Sequence, residues 1–96
     1  MAAFRLTARA VEDMKAIGRF TERNWGRWQR NKYLSMLDSC FQTILHQPEI
    51  GIQCGDIRSG YRKYHVGRHL IFYRQVDIYI EIVRILHDSM DIELHF

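Results

Sequence analysis

The only proline, Pro48, divides this chain into two parts that cannot share a fold element. Before it, apolar residues recur every three or four positions. Beyond the glycine-punctuated stretch that follows, they alternate or run together in β-branched and aromatic blocks. The first pattern suits a helix with 3.6 residues per turn, the second a strand with a period of two. A helical part with one apolar stripe needs a sheet to bury it, so the two parts must pack on each other.

Before the helical part, Phe4-Arg5-Leu6-Thr7 alternates apolar and polar residues, as a short strand does. Thr7 is a good N-cap for a helix over residues 8–25, although Ala10 denies it a full capping box. Val11, Met14, Ile17 or Gly18, Thr21 and Trp25 mark its inner face, and Glu12, Arg19, Glu22 and Arg23 its wet one. Gly26 stands where a left-handed cap belongs. A second helix follows over residues 28–46, with Leu34, Leu37, Phe41 and Ile44 or Leu45 as its stripe and Cys40 as a small core residue. Pro48 biases Gln47 out of the helical region and ends it. So short a connection predicts an antiparallel helical hairpin, with Trp25 and Trp28 stapling its turn to the core.

Residues 48–60 form a loop punctuated by Pro48, Gly51, Gly55 and Gly60, in which Ile57 and Arg58 add a short strand or turn. Strands are predicted over residues 61–66, 69–76 and 79–86, with turns at Gly67 and at Asp77-Ile78. Leu70, Phe72 and Val76 share one face, with Ile71, Tyr73 and Gln75 opposite. In the last strand, Ile80, Ile82 and Leu86 share a face with Arg84, and Glu81, Val83, Ile85 and His87 point the other way. Neither face is polar throughout, which marks a central strand covered on both sides. Arg84 is then expected to pair internally, with Asp88 or Asp91 as partner, or to reach a ligand. After it, Met90, Ile92, Leu94 and Phe96 alternate with Asp91, Glu93 and His95, a pattern suited to one more short strand. The whole is an α+β fold, β-α-α-β-β-β, with the hairpin on one face of a mainly antiparallel sheet.

Ninety-six residues make one domain, residues 1–96. The net charge of +3 is too small to diagnose nucleic-acid binding. Its distribution says more: residues 51–76 hold five Lys and Arg against one acid, and residues 77–96 hold one against five. Two cysteines without CxxC spacing make neither a disulfide framework nor a zinc site. No apolar run reaches membrane-spanning length, so a soluble, cytoplasmic protein with no membrane partner is expected.

Ser35, Ser39, Ser59 and Ser89 lack a nucleophile-elbow context, and no glycine loop for phosphate is present. The five histidines lack metal-ligand spacing, so neither a metal nor a cofactor is expected. One catalytic constellation is conceivable. RNA cleavage by 2′-hydroxyl attack needs a base, an acid and cations, which Arg62, Lys63, His65, Arg68, Arg84 and His87 supply if one face gathers them. The plainer reading makes them exposed strand residues and internal ion pairs.

Several runs together resemble the ParE-type toxins of the RelE/ParE superfamily, from bacterial type II toxin–antitoxin modules. They are Phe4-Arg5-Leu6-Thr7-Ala8, Val11-Glu12-Asp13-Met14, Trp25-Gly26, Gln47-Pro48-Glu49-Ile50-Gly51 and Asp56-Ile57-Arg58-Ser59-Gly60-Tyr61-Arg62. The most specific are Val66-Gly67-Arg68-His69-Leu70-Ile71-Phe72-Tyr73-Arg74 and Ile82-Val83-Arg84-Ile85-Leu86-His87-Asp88-Ser89-Met90-Asp91. The resemblance implies the same fold and a ParD-like ribbon-helix-helix antitoxin that wraps the toxin and alone contacts operator DNA. It also implies inhibition of DNA gyrase by binding, through Arg58, Arg62, Arg68, Arg84, His87, Met90, Leu94 and Phe96. The alternative is the ribosome-dependent mRNA endonuclease activity of the RelE branch, with Arg62, Arg68, Arg84 and His87 as the catalytic group. Lys63-Tyr64-His65 departs from the Ser-Phe-Pro common in ParE toxins, whereas the residues after Leu86 follow the ParE pattern.

Overall fold

The computed structural model describes residues 3–96. Strand β1 (Ala3–Leu6) leads into a long helical stretch, α1 (Ala8–His46). Then come β2 (Ile52–Gln53), β3 (Tyr61–Val66), β4 (His69–Val76), β5 (Tyr79–His87) and a 3-10 turn at Ile92–His95. The Thr7 hydroxyl caps α1, accepting from the Ala10 amide at 3.0 Å. It also donates to the Val83 carbonyl at 2.8 Å, so one side chain ties the helix start to the sheet.

Gly26 breaks α1 into two arms, residues 8–25 and 27–46. Its φ of 91° and ψ of 173° lie in a region that a Cβ excludes. The arms fold back on each other. Arg30 pairs with Glu22 at 2.5 Å, and a Cβ on Gly18 would lie 3.3 Å from Leu34. Both contacts join positions equidistant from Gly26, as an antiparallel hairpin requires. At the far end the Gln47 amide bonds the Thr43 carbonyl at 3.0 Å, and Pro48 stops the helix as expected.

The inner face of the first arm differs from the expected stripe. Ala10, Ile17, Gly18 and Thr21 are buried, whereas Val11 is exposed and Trp25 and Trp28 are 65% and 73% exposed. Neither tryptophan staples the hairpin. Among the described residues the main core takes none between Thr21 and Tyr33, so the hairpin turn overhangs the sheet and its aromatics stay in solvent.

The sheet runs β1-β5-β4-β3-β2, with β1 parallel to β5 and the other pairs antiparallel. Gly67 (φ 56°) turns β3 into β4, and Asp77 (φ 54°) turns β4 into β5. The two-residue β2 is too short to leave an alternation, and Ile57 sits in a turn rather than a strand. On one face Leu37, Phe41 and Ile44 of the second arm meet Ile71, Tyr73, Ile80, Ile82 and Ile85. Each such side chain contributes about 1.5–3 kcal/mol when fully buried. On the other face Phe72, Leu86 and Cys54 form a smaller core under Tyr61, Ile92 and Phe96.

One irregularity reassigns half of β5. Phe72 pairs with Arg84 while the next residue, Tyr73, pairs with Ile82, leaving Val83 as a bulge. The extra residue inverts the alternation after Ile82. Ile85 therefore joins Ile80 and Ile82 on the helix face, and Leu86 sits with Arg84 on the other, contrary to the simple period-two reading. The terminal segment also departs from expectation: it forms the 3-10 turn, not a strand, and Phe96 docks edge-on against Phe72 at 5.0 Å and Tyr61 at 5.9 Å. Among the described residues no helix is long and apolar enough to cross a membrane.

Candidate functional site

Three features of this fold have the makings of a site: a titratable cluster, an apolar groove beside it, and a basic trough on the opposite face. The cluster lies where the β3–β4 turn meets the end of β5. The Tyr33 hydroxyl, from the second helical arm, accepts from the Arg68 amide at 3.2 Å and lies 2.7 Å from His69 Nδ1. Burial, then the charge of His87, lowers the His69 pKa to about 4. His69 is therefore neutral at pH 7, and its Nδ1 accepts the Tyr33 proton. Burial likewise pushes the Tyr33 hydroxyl up. His87 packs edge-on to His69 at 5.3 Å, with Nδ1 2.6 Å from Ser89 Oγ. Asp88 lies 3.3 Å from His65 Nε2, and Arg68 Nε is 3.9 Å from its other oxygen.

The apolar groove, about 380 Å³, opens beside this cluster between the first arm and the sheet end, with Phe20, Trp25, Tyr33, His69 and His87 among its walls. A second hollow of about 370 Å³ shares Phe20, His69 and His87 and extends to Met90. Phe20 and Trp25 meet edge-on at 5.9 Å, yet both are mostly exposed. Together they form an aromatic surface of the kind proteins keep for partners.

The trough, about 720 Å³, lies on the other face, where Arg9, Arg58, Arg74 and Arg84 share its walls with Tyr61 and Phe96. Two of these arginines are paired. Arg74 Nε donates to Glu81 at 2.8 Å, and that bond raises its pKa. Arg84 grips Asp13 through Nε at 2.8 Å and a terminal nitrogen at 3.0 Å, while its other terminal nitrogen bonds the His95 carbonyl at 3.1 Å. The Asp13 bond likewise holds the Arg84 pKa up.

The sequence-predicted site residues thus separate. Arg84 is internally paired, as one reading expected, but with Asp13 rather than Asp88 or Asp91. Asp13 also accepts from the Ile85 amide at 3.0 Å, because β1 ends beside Ile82 and leaves that edge open. Arg62 donates to the Gly51 carbonyl at 2.7 Å and clamps the loop before β2. Tyr73 clamps the same loop, accepting from the Gly51 amide and donating to the Pro48 carbonyl. A Cβ on Gly51 would stand 2.5 Å from that hydroxyl oxygen, so only glycine fits there. Arg58 reaches the Phe96 backbone oxygen at 3.3 Å. Arg68 and Met90 are exposed, Leu94 is 81% exposed, and His87 lies half-buried in the cluster.

Arg62, Arg68, Arg84 and His87 do not assemble into one catalytic group. Arg62 pairs in register with Tyr73, and His87 pairs with His69, four residues earlier on β4. The two therefore stand about 13 Å apart along the strands. Among the described residues, no three His, Cys, Asp or Glu side chains converge to hold a metal. Sequence reading missed Tyr33 and His69 as cluster members and Phe20 as a groove wall. Phe20 left a signal, as a large aromatic outside the helical stripe; Tyr33 left none.

A helical hairpin on one face of a five-stranded mixed sheet defines a small α+β domain. The fold is similar to a chain of the solved "Chromosomal ParDE TA system from P. aeruginosa", with a TM-score of 0.77 at 18% identity over 91% of this chain and 96% of that one. In sequence the chain is 36% identical over 95 residues to "Toxin ParE1" of Caulobacter vibrioides, covering 99% of this chain and 98% of the relative. It is also 36% identical over 89 residues to "Toxin ParE1" of Mycobacterium tuberculosis, covering 92% and 91%. Residues 4–92 match the family described as "ParE toxin of type II toxin-antitoxin system, parDE". The chain belongs to that family of ParE toxins.

Proposed function

We propose that this toxin arrests growth by binding DNA gyrase and stabilising its cleaved-DNA state, without covalent chemistry of its own. The family match over residues 4–92 carries this reading. The dispersal of Arg62, Arg68, Arg84 and His87 supports it against the endonuclease alternative, since two of the four are spent on a loop carbonyl and on Asp13. His69 is too weak a base at neutral pH to replace them. Arg68, His87, Met90 and Leu94 are the residues left to meet the target. A ParD-like antitoxin, with operator DNA reached only through it, is the proposed neutralising partner. Its toxin-wrapping segment covers the aromatic groove at Phe20 and Trp25, whose exposure would otherwise cost solubility. A gyrase target and a DNA-bound partner make the cytoplasm the proposed compartment, and residues 1–96 are proposed to act there as one toxin domain.

Purified toxin mixed with gyrase, ATP and plasmid is expected to accumulate cleaved DNA after detergent and protease treatment. Unchanged supercoiling with toxin in excess overturns the reading. New mRNA ends in a translation reaction, with gyrase unaffected, would establish the endonuclease instead. Trp25→Ala is expected to weaken antitoxin binding at least tenfold in a titration, and unchanged affinity would remove the groove from that interface.

A further inference from the structure

Of the contacts proposed above only Leu94, in the turn that ends at the trough's rim, comes near the opposite face, and the arginines of the trough are left without a task. Four arginines and His95 reach its walls, and no aspartate or glutamate does. Asp13 and Glu81 pair with Arg84 and Arg74, and Arg84 has a bond at each of its three nitrogens. Arg74 keeps both terminal nitrogens for a ligand. Arg9, at the start of α1, is exposed and makes no ion pair among the described residues. Arg58 stands on the loop before β3, on the far flank. Arg9 and Arg58 thus flank the trough from the β1 side and the β3 side, with β5 and β4 between them. Between them lie the paired Arg74 and Arg84 with Tyr61, Val83 and Phe96, and Ser59 stands beside Arg58.

A concave, cationic trough takes an anionic ridge, and the ridge of a nucleic acid is its sugar–phosphate strand. The aromatics nearby are already engaged: Tyr61 and Phe96 pack edge to face on each other and Phe96 packs on Phe72, whereas single-stranded binding uses rings held free for stacking bases. We propose that the trough holds the phosphodiester backbone of duplex DNA through Arg9, Arg58 and Arg74. This rests on the gyrase reading for where the DNA is met: the cleaved segment on gyrase is the duplex brought to the trough. Toxin thereby contacts both components of the complex it stabilises.

Anisotropy of a labelled duplex titrated with the whole toxin tests this directly, with no gyrase present. Three phosphate contacts predict a log–log salt slope of about −3. Arg9→Ala/Arg58→Ala is expected to lose at least tenfold in affinity and to flatten the slope by about two. Arg9→Ala, whose side chain bonds nothing in the fold, and Arg58→Lys, which keeps the charge, separate lost contacts from lost folding. Arg19→Ala/Arg23→Ala removes the same charge from the exposed side of the hairpin and is expected to change affinity less than twofold. Absence of binding at low salt, an equal loss in that control pair, or equal affinity for a single-stranded RNA overturns the proposal. So does undiminished trapping of cleaved DNA by Arg9→Ala/Arg58→Ala toxin. Toxin that binds duplex through these arginines yet traps nothing on gyrase supports the trough and removes gyrase as target.

Discussion

The two faces of this sheet are covered to very different depths. On one, a hairpin of nearly forty residues lays Leu37, Phe41 and Ile44 over five buried sheet side chains. On the other, Phe72, Leu86 and Cys54 lie under little more than the segment ending at Phe96. The first face is a core in the full sense. The second is a shallow floor whose uncovered part carries the arginine trough. Stability is therefore concentrated where the helices are, which leaves the second face able to vary its surface without losing the fold.

The sharpest way to break this contrast is to cut a cavity on each side. Phe41→Ala, at a fully buried position, is expected to cost about 3–5 kcal/mol in urea unfolding. Phe96→Ala, at a partly exposed one, is expected to cost about 1–2 kcal/mol. Equal losses would mean that the second face is as much a core as the first.

Next in size is Asp13→Ala, which strands the Arg84 guanidinium and the Ile85 amide together, at an expected cost of about 3 kcal/mol. Asp13→Ala/Arg84→Met is expected to recover part of that. No recovery would show that Asp13 acts through the amide alone.

A pH series probes the helix face at its titratable end. The unfolded His69 ring takes up its proton near pH 6.5 and the folded one near 4. Between those values the unfolded state binds more protons, so stability is full above pH 6.5 and declines as pH falls through the window. The expected loss is on the order of 2 kcal/mol, and His69→Leu is expected to flatten it. His65, His87, Asp88 and Asp13 lie close to this ring, so a slope unchanged in His69→Leu would mean that His69 is not its source.

The smallest expected effect is the most telling for function. Leu94→Ala touches a residue in open solvent and is expected to shift stability by less than about 0.5 kcal/mol. Growth arrest, scored by colony formation after induction without antitoxin, is nonetheless expected to weaken if Leu94 meets the target. Unchanged arrest would reduce the terminal segment to a cover for Phe72.

Much of this contrast was legible in the sequence wherever a local rule sufficed. Thr7 capped, Gly26 reversed, Pro48 stopped the helix, and three strand runs fell within a residue of their places. What escaped depended on neighbours far along the chain. The bulge at Val83 has no local mark, yet it moves Leu86 to the opposite face. Trp25 continues the helical stripe in phase, but the stripe outlasts the sheet beneath it. Asp13 reads as a solvated carboxylate until the end of β1 leaves Ile85 needing an acceptor. Alternation from Met90 to Phe96 suggested a strand where no free edge lay alongside. The candidate site was less legible than the fold, because chain position does not say which arginines are spent internally.

Thr7 and Asp13 stand in for a strand that β1 does not continue: they occupy the Val83 carbonyl and the Ile85 amide with side-chain atoms. Backbone pairing beyond Ile82 is thereby closed to outside chains. Among the described residues, a protein that extends this sheet by adding its own strand finds the four residues of β1 on one margin and, on the other, the two of β2 and the three of β3 that β2 leaves unpaired. Of these, β1 offers the longest unbroken run, so the longest stretch along which a foreign strand can zip onto this toxin lies on its amino-terminal margin.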